Sequence, residues 1–407
     1  MTDTLPILVL IRSYTDHLSY YDDWQDAVTR HPGFDVTVRN IAAEDQLPTI
    51  AREIEAAPFI LLLHSTNADG CALLRRLMPA FQARRGHLAV FVGNEVNLPL
   101  APMAEKFAFL ADARADLILT QFLQETGEWY YQPLEGATVC SIPHALNPVA
   151  YQPGPPLSAR PIQIGVRSFR YGPYIGDTER VDVHRLFQRL GEEQRLVTDI
   201  RIGDGRFNRK DWAAFLARCR GTISTEAGSA WLDRDDVLMH ATQDRLKALT
   251  QGQIVLNQDG LARRMARLLL PSVLKRAIIR ALGGRLVEDY NLGDHADEAT
   301  IRAIQADLFT ADRRAPYHTK GISSRHFDAI GSGTVQILVE GRYNDILVPN
   351  QHYIVLNRDF SNIEDVLVRF NDISACQRMV NDVREYALSS HTHSHRMARL
   401  EESLRSI

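Results

Sequence analysis

The chain has 407 residues, 45% hydrophobic and 24% charged, which predicts two or three domains with their own cores and excludes a mainly disordered chain. With 46 Lys+Arg against 50 Asp+Glu the formal charge is -4, so the molecule as a whole is no polyanion binder, any basic site is local, and no nucleic-acid partner is expected. Cys71, Cys140, Cys219 and Cys376 form no CxxC pair, a spacing that fits free thiols in a reducing compartment better than a disulfide or zinc framework.

The first residues, MTDTLPILVL, lack a basic n-region, and their apolar run ends at Arg12, so no signal peptide is expected. No apolar stretch reaches the roughly 18 residues of a spanning helix. The expectation is a cytoplasmic protein, able at most to touch the inner face of a membrane. Pro6 to Ile11 reads as a strand, Tyr20 to Thr29 as a helix, Phe34 to Val38 as a strand and Leu47 to Ala56 as a helix. A strand at Phe59 to Leu63, a helix from about Ala72 to Arg84, and strands at His87 to Val92, Leu117 to Thr120 and Thr138 to Ile142 complete the first third. Apolar runs separated by helices mark a parallel sheet covered on both faces.

Prolines 143, 148, 153, 155, 156 and 161 stop helix and ladder alike and read as a linker. The α/β rhythm then restarts, with strands at Ile162 to Val166, Val197 to Ile202, Gly221 to Ser224 and Val335 to Val339. Helices are expected at Val183 to Leu190, Trp212 to Arg218 and Arg325 to Ile330. The predicted organisation is an N-terminal Rossmann-like domain over 1–150, a C-terminal one over 151–385, and a C-terminal helix over 386–407 that can cross back to the first. A basic helical insert near 258–290 carries Arg263, Arg264, Arg267, Lys275, Arg276, Arg280 and Arg285, and Pro271 divides it into two short helices. It is either packed on its own domain or laid in an anionic membrane surface.

Ligands of such sheets sit at the carboxyl ends of the strands, so residues there are the first candidates. Glu95 follows one strand and is a candidate general base for an acceptor hydroxyl; His64 ends another in the same way, with Asn94 orienting its neighbours. Glu226, in Ser224-Thr-Glu-Ala-Gly-Ser229, is a further candidate carboxylate. Arg167 and Arg170 sit in a Gly-containing loop, where a guanidinium fork suits phosphate oxygens. In Lys320-Gly-Ile-Ser-Ser-Arg325, Ser323 or Ser324 can cap a helix whose first-turn N–H groups suit a phosphate, with Lys320 and Arg325 adding charge. Asp328, one turn in, can accept from a ribose diol. The Asp233-Arg-Asp235-Asp236 run reads as a solvated loop rather than a metal motif. His391, His393 and His395 read as a structural or tag-like surface, since only His391 and His395 share a helical face. No metal site and no cofactor are expected.

The stretch SSRHFDAIGSGTVQILVEGRYNDILVPNQHYIVLNRDFSNIEDVLVRFND, followed by SSHTHSHRMARL, resembles the C-terminal half of bacterial GT-B glycosyltransferases with a group 1 or CgeB-like C-terminal domain, within residues 323–400. VGNEV at 92–96 and SIPHALNP at 141–148 resemble the same group. The resemblance implies two Rossmann-like domains facing across a cleft. It places a nucleotide-sugar donor on the C-terminal domain near Arg167 and Arg170, and a glycan or lipid-linked acceptor on the N-terminal one. It implies metal-independent hexosyl transfer of the kind that builds cell-envelope polysaccharide. Two positions depart from the family: Asp328 stands where a glutamate is usual, and Lys320, eight residues earlier, replaces the second glutamate of retaining members. A catalytically silent nucleotide-sugar-binding module and a nucleotide-sugar epimerase are the competing readings.

Overall fold

Runs such as Phe59-Ile-Leu-Leu62 and His87-Leu-Ala-Val-Phe91 have no polar face to offer water, so they form strands only where both sides are covered. The computed structural model describes residues 4–13, 19–168, 172–203, 207–249, 254–256, 286–288 and 296–407. Strands β1 (Leu5–Ile11), β2 (Phe34–Asn40), β3 (Phe59–Leu62), β4 (His87–Phe91), β5 (Leu117–Thr120) and β6 (Thr138–Ser141) form one sheet in the order β2-β1-β3-β4-β5-β6, parallel throughout. Alternate residues feed opposite cores: Ile60 and Leu62 join one cluster, Leu61 and Leu63 the other.

The connecting helices are α1 (Ser19–Arg30), α2 (Leu47–Ala56), α3 (Ala72–Arg75), α4 (Met78–Ala83), α5 (Met103–Asp112) and α6 (Gln124–Tyr131). The single helix expected over 72–84 is divided in two, because Pro79 has no N–H to continue α3 and instead opens α4.

In the second half, β7 (Ile162–Ser168), β8 (Thr198–Ile202) and β9 (Cys219–Ser224) are followed by β10 (Ala227–Gly228), β11 (Ile254–Leu256), β12 (Leu286–Glu288), β13 (Lys320–Gly321), β14 (Val335–Val339) and β15 (Ile354–Leu356). Five of them make a second parallel sheet, β15-β14-β9-β7-β8; β10 pairs antiparallel with β13, and β11 pairs parallel with β12. The helices of this half are α7 (Glu179–Glu192), α8 (Arg209–Arg218), α9 (Val237–Leu249), α10 (Glu298–Leu308), α11 (Ser324–Gly331), α12 (Ile363–Asn371) and α13 (Ile373–Ser390); α9 and α10 share a core of their own with Trp231 and Phe309. The last helix, α14 (His393–Arg405), returns to the first sheet, where Met397, Leu400 and Leu404 share a core with Val9 and Trp24.

The result is an α/β molecule of two Rossmann-like domains with a cleft between the carboxyl ends of their sheets. The basic segment expected as a helical insert, and Arg170, lie outside the described residues. Among the described residues no helix is long and apolar enough to cross a membrane.

Two of the connections between the domains bear on the sequence reading. The Pro-rich segment is a packed strap: Leu146 and Tyr151 are fully buried, and Leu146 exchanges backbone hydrogen bonds with His391 and His393. The second connection overturns the solvated-loop expectation for Asp233–Asp236. Asp236 has 0% exposure, and its carboxylate accepts from Asn97 Nδ2 (2.7 Å), Met103 N (3.0 Å) and Ala104 N (2.8 Å) of the other domain. The residue before α5 is Pro102, which has no side-chain cap to offer, so the cap comes from across the interface. Arg234 donates to Tyr130 O (2.8 Å), and Tyr130 donates to Asp233 O (2.9 Å).

Removing the carboxylate strands two buried donors, Asn97 Nδ2 and Met103 N, and the partly buried amide of Ala104. Asp236→Ala should therefore cost about 2–3 kcal/mol, and Asp236→Asn, which keeps one acceptor oxygen, less. Thermal unfolding of the two variants beside wild type measures this; a loss within about 0.5 kcal/mol for alanine contradicts the interdomain cap.

Candidate active site

Strand ends of the first sheet deliver His64 after β3, Asn94 and Glu95 after β4, Gln121 after β5 and His144 after β6. Facing them are Ala227 and Gly228 of β10 and the run Gly321–Arg325 that leads into α11. Together they enclose a cavity of about 310 Å³.

Glu95 is the one carboxylate among the described residues lining this cavity. It is 8% exposed; Oε1 accepts from Thr120 Oγ1 (2.5 Å) and Tyr131 OH (2.6 Å), and Oε2 accepts from Gln121 N (2.8 Å). That leaves Oε2 with a second lone pair. Burial pushes its pKa up to about 7, against the pull of those three donors and of Lys106. Lys106 is itself buried and pulled down to about 8, and its ammonium donates to the carbonyls of Gly93 and Asn94 (2.9 Å to the latter), fixing the loop that carries Glu95.

His64 is 1% exposed, stacks on Phe91 at 4.6 Å, and meets no hydrogen-bond partner at either ring nitrogen among the described residues. Burial, then His144 and His393, hold its pKa well below the usual value, so it is neutral. His144 Nδ1 accepts from Trp24 Nε1 (3.4 Å), which leaves the ring proton on Nε2; burial lowers this histidine to about 3.

Of the three C-terminal histidines only His395 is exposed, and all three take the structural one of the two expected roles. Thr392 caps α14 together with His395; His393 is buried edge-on against Trp24 at 4.8 Å; His391 bonds the Tyr386 hydroxyl (2.9 Å). The rings of His64 and His144 lie nearly parallel, 6.0 Å apart, and among the described residues no group of three or more His, Cys, Asp or Glu is placed to hold a metal ion.

On the opposite wall Ser323 is the cap of α11, in a box with His326 whose Nδ1 accepts from Ser323 N (3.0 Å). Its hydroxyl serves the helix, while the first-turn amides of Ser324 and Arg325, without intrahelical partners, stand at the cavity. Arg325 donates to Ser224 Oγ (2.8 Å) and Thr225 O (3.2 Å), both neutral, so these bonds do not neutralise its charge.

Four residues expected at the site are engaged elsewhere. Lys320 is locked between Asp177 (2.7 Å) and Glu179 (2.6 Å), away from the cavity. Asp328, within α11, is buried, Trp212 Nε1 donates to it (2.9 Å), and burial with Asp23 nearby raises its pKa well above the carboxylate range; it lines no part of the cavity. Glu226 turns from the cavity to His318 (2.9 Å) and Tyr343 N (2.8 Å). Arg167 pairs with Asp199 (2.8 Å) over the Phe215 ring, lining instead a small neighbouring pocket with Arg180, His184 and Arg325. His144, Arg180 and Gln121 were not singled out in the sequence. The strand-end rule that gave His64 and Glu95 also reaches Gln121 and His144.

No family model matches the chain, and no curated protein does. Among solved structures it is similar to HepE of Anabaena in complex with UDP, over 99% of this chain and 100% of that one, at 12% identity and a TM-score of 0.45. It is similar to sucrose-phosphate synthase of Thermosynechococcus elongatus over 99% of both chains, at 11% identity and a TM-score of 0.45. A third is α,α-trehalose 6-phosphate synthase of Burkholderia multivorans, covering 99% and 97%, at 13% identity and a TM-score of 0.42.

The raised pKa of Glu95 has a stability consequence. From its ordinary value of 4.5 up to about 7 the unfolded chain has lost this proton and the folded one keeps it, so Glu95 subtracts stability as pH rises through that window. The full difference is about 3 kcal/mol. Unfolding measured at a series of pH values should show this fall in wild type and its loss in Glu95→Gln; parallel curves contradict it.

Proposed function

We propose that the chain is a glycosyltransferase that moves a sugar from a nucleotide-sugar donor to a hydroxyl of a glycan or lipid-linked acceptor, without a metal ion. The observation that carries this reading is the pairing of walls in one cavity: a carboxylate tuned to about 7 on one side, and a capped helix N-terminus with Arg325 on the other.

The acceptor oxygen attacks the anomeric carbon while its proton passes to Glu95 Oε2. The bond from that carbon to the diphosphate oxygen breaks, and the electron pair leaves with the nucleoside diphosphate. A base works best with a pKa near the working pH, and general-base catalysis contributes about 10²–10⁴-fold. The charge growing on the leaving group is met by the amides of Ser324 and Arg325 and by the Arg325 guanidinium. Glu226 and Asp328, two further carboxylates of this half of the molecule, are taken up by His318, Tyr343 and Trp212, and among the described residues no carboxylate lines the donor side of the cavity. His144, its Nδ1 engaged by Trp24, offers the Nε2–H of a neutral imidazole to a sugar hydroxyl. The seven basic residues between 263 and 285 support a lipid-linked acceptor at an anionic membrane.

A second reading, a binding module without turnover, is favoured by the capture of Lys320 and Asp328 in structural contacts. A panel of nucleotide sugars, assayed for nucleoside diphosphate release with and without glycan acceptors, separates the two. Turnover should fall about 100-fold or more in Glu95→Gln with donor affinity retained, whereas Arg325→Gln should weaken donor affinity about tenfold. Donor binding without transfer or hydrolysis from any member of the panel would falsify the transferase reading. Co-sedimentation with anionic but not zwitterionic vesicles is expected if the acceptor is lipid-linked; equal recovery with both removes that part.

A further inference from the structure

Tyr343, Asn344 and Asp345 follow one another with φ of 48°, 54° and 57°, a left-handed run that L-residues adopt singly and seldom in succession. Strong local bonds hold it. Glu226 Oε1 accepts from Tyr343 N (2.8 Å) while His318 Nε2 lies 2.9 Å from the same oxygen; Tyr343, fully buried, donates its hydroxyl to Val339 O (2.5 Å). A Cβ at Gly341 would lie 2.6 Å from Glu226 Oε2, so the carboxylate packs directly on the chain. Glu226 is thus the anchor of this turn.

The turn delivers one side chain to the interface. Asn344 is 8% exposed; its Oδ1 accepts from Ile322 N (2.7 Å), and its Nδ2 donates to Gln121 O (2.8 Å) in the other domain. Gln121 N in turn donates to Glu95 Oε2 (2.8 Å). Three hydrogen bonds therefore run from the cavity carboxylate to the residue before the Ser323 cap. The approach is close enough that a Cβ at Gly321 would lie 2.5 Å from Asn344 Oδ1.

We infer that Asn344 is a positioning residue: its amide sets the span between Glu95 and the N-terminus of α11, and so the separation of the acceptor and leaving-group sides of the reaction. The inference rests on the glycosyltransfer reading for its kinetic consequence and on geometry alone for the clamp. Asparagine suits the task because it tolerates the left-handed region and carries a donor and an acceptor on one short stem.

Asn344→Gly keeps the backbone conformation and removes the amide; Asn344→Asp keeps the acceptor for Ile322 and removes the donor for Gln121. Both should lower kcat about tenfold or more, with affinity for inorganic pyrophosphate, measured by calorimetry, within about threefold of wild type. The acid limb of the kcat profile should move to higher pH, because Gln121, no longer held through its carbonyl, holds its N–H less firmly on Glu95. The groups facing that carboxylate are otherwise unchanged: Lys106 from α5, Tyr130 and Tyr131 from α6, and Thr120 from β5. Wild-type kcat in a folded Asn344→Gly, or full recovery in Asn344→Asp, overturns the clamp. Should glycine not fold, aspartate carries the same readouts. If wild type transfers from no donor, the glycosyltransfer reading fails by itself. The clamp is then judged by the ionisation of Glu95 followed by ¹³C NMR, which rises in the variants if Asn344 orders Gln121 and is unmoved if it does not.

Discussion

A buried carboxylate that reaches across from one domain to the helix of the other is the constraint from which the cleft follows. A carboxylate out of contact with water is tolerable only with donors around it, and for Asp236 those donors are Asn97 and the first amides of α5. The same helix carries Lys106, whose ammonium holds the carbonyls of Gly93 and Asn94 and so the loop bearing Glu95. One element is therefore capped by the C-terminal domain at its start and fixes the candidate base a turn later. The distance between the two walls of the cavity is set by the same contacts that join the domains, and Asn344 adds a second tie on the other side.

Much of the fold was legible because parallel strands buried on both faces leave apolar runs that little else explains; β1, β3, β4 and β14 all read this way. His64, Glu95 and the Ser323–Arg325 cap were legible for a related reason, since strand ends and helix starts are visible in sequence and ligands collect there. What sequence does not give is depth and side. Asp328 lies one turn below Ser324, about 5 Å further from the cleft, and at that depth it meets Trp212 instead of solvent. Lys320 precedes Gly321 on a short strand, so alternation sends it to the side of Asp177 and Glu179 while Gly321 faces the cavity.

The remaining misreadings share one physical cause: a polar side chain was judged by its neighbours in sequence, when its partner was distant. Nothing local tells that Pro102 leaves α5 without a cap and that Asp236 supplies it from more than a hundred residues away. The alternating histidines are open to a structural or a tag-like reading, and what decides is again a contact outside their own run: the helix that starts at Thr392 gives one to the cap, one to Trp24 and one to Tyr386. Glu226, beside a strand end and small residues, has the surroundings of a site carboxylate, yet its donors are a histidine and a backbone amide of a left-handed turn that no composition announces.

The electrostatics of the cavity are asymmetric in a way that suits proton transfer on one wall and charge departure on the other. Lys320 and Arg167 are neutralised by carboxylates, leaving Arg325 bonded to a hydroxyl and a carbonyl. Across from it, burial has made His64 and His144 neutral, so they add no fixed charge beside Glu95. Burial alone would keep Glu95 protonated, and Thr120, Tyr131 and Gln121 pull it back to about 7, where it exchanges a proton readily near neutral pH. Those hydrogen bonds therefore do more than satisfy a buried group. They set the protonation of the candidate base, and the third of them comes from Gln121, whose carbonyl accepts from Asn344 of the other domain.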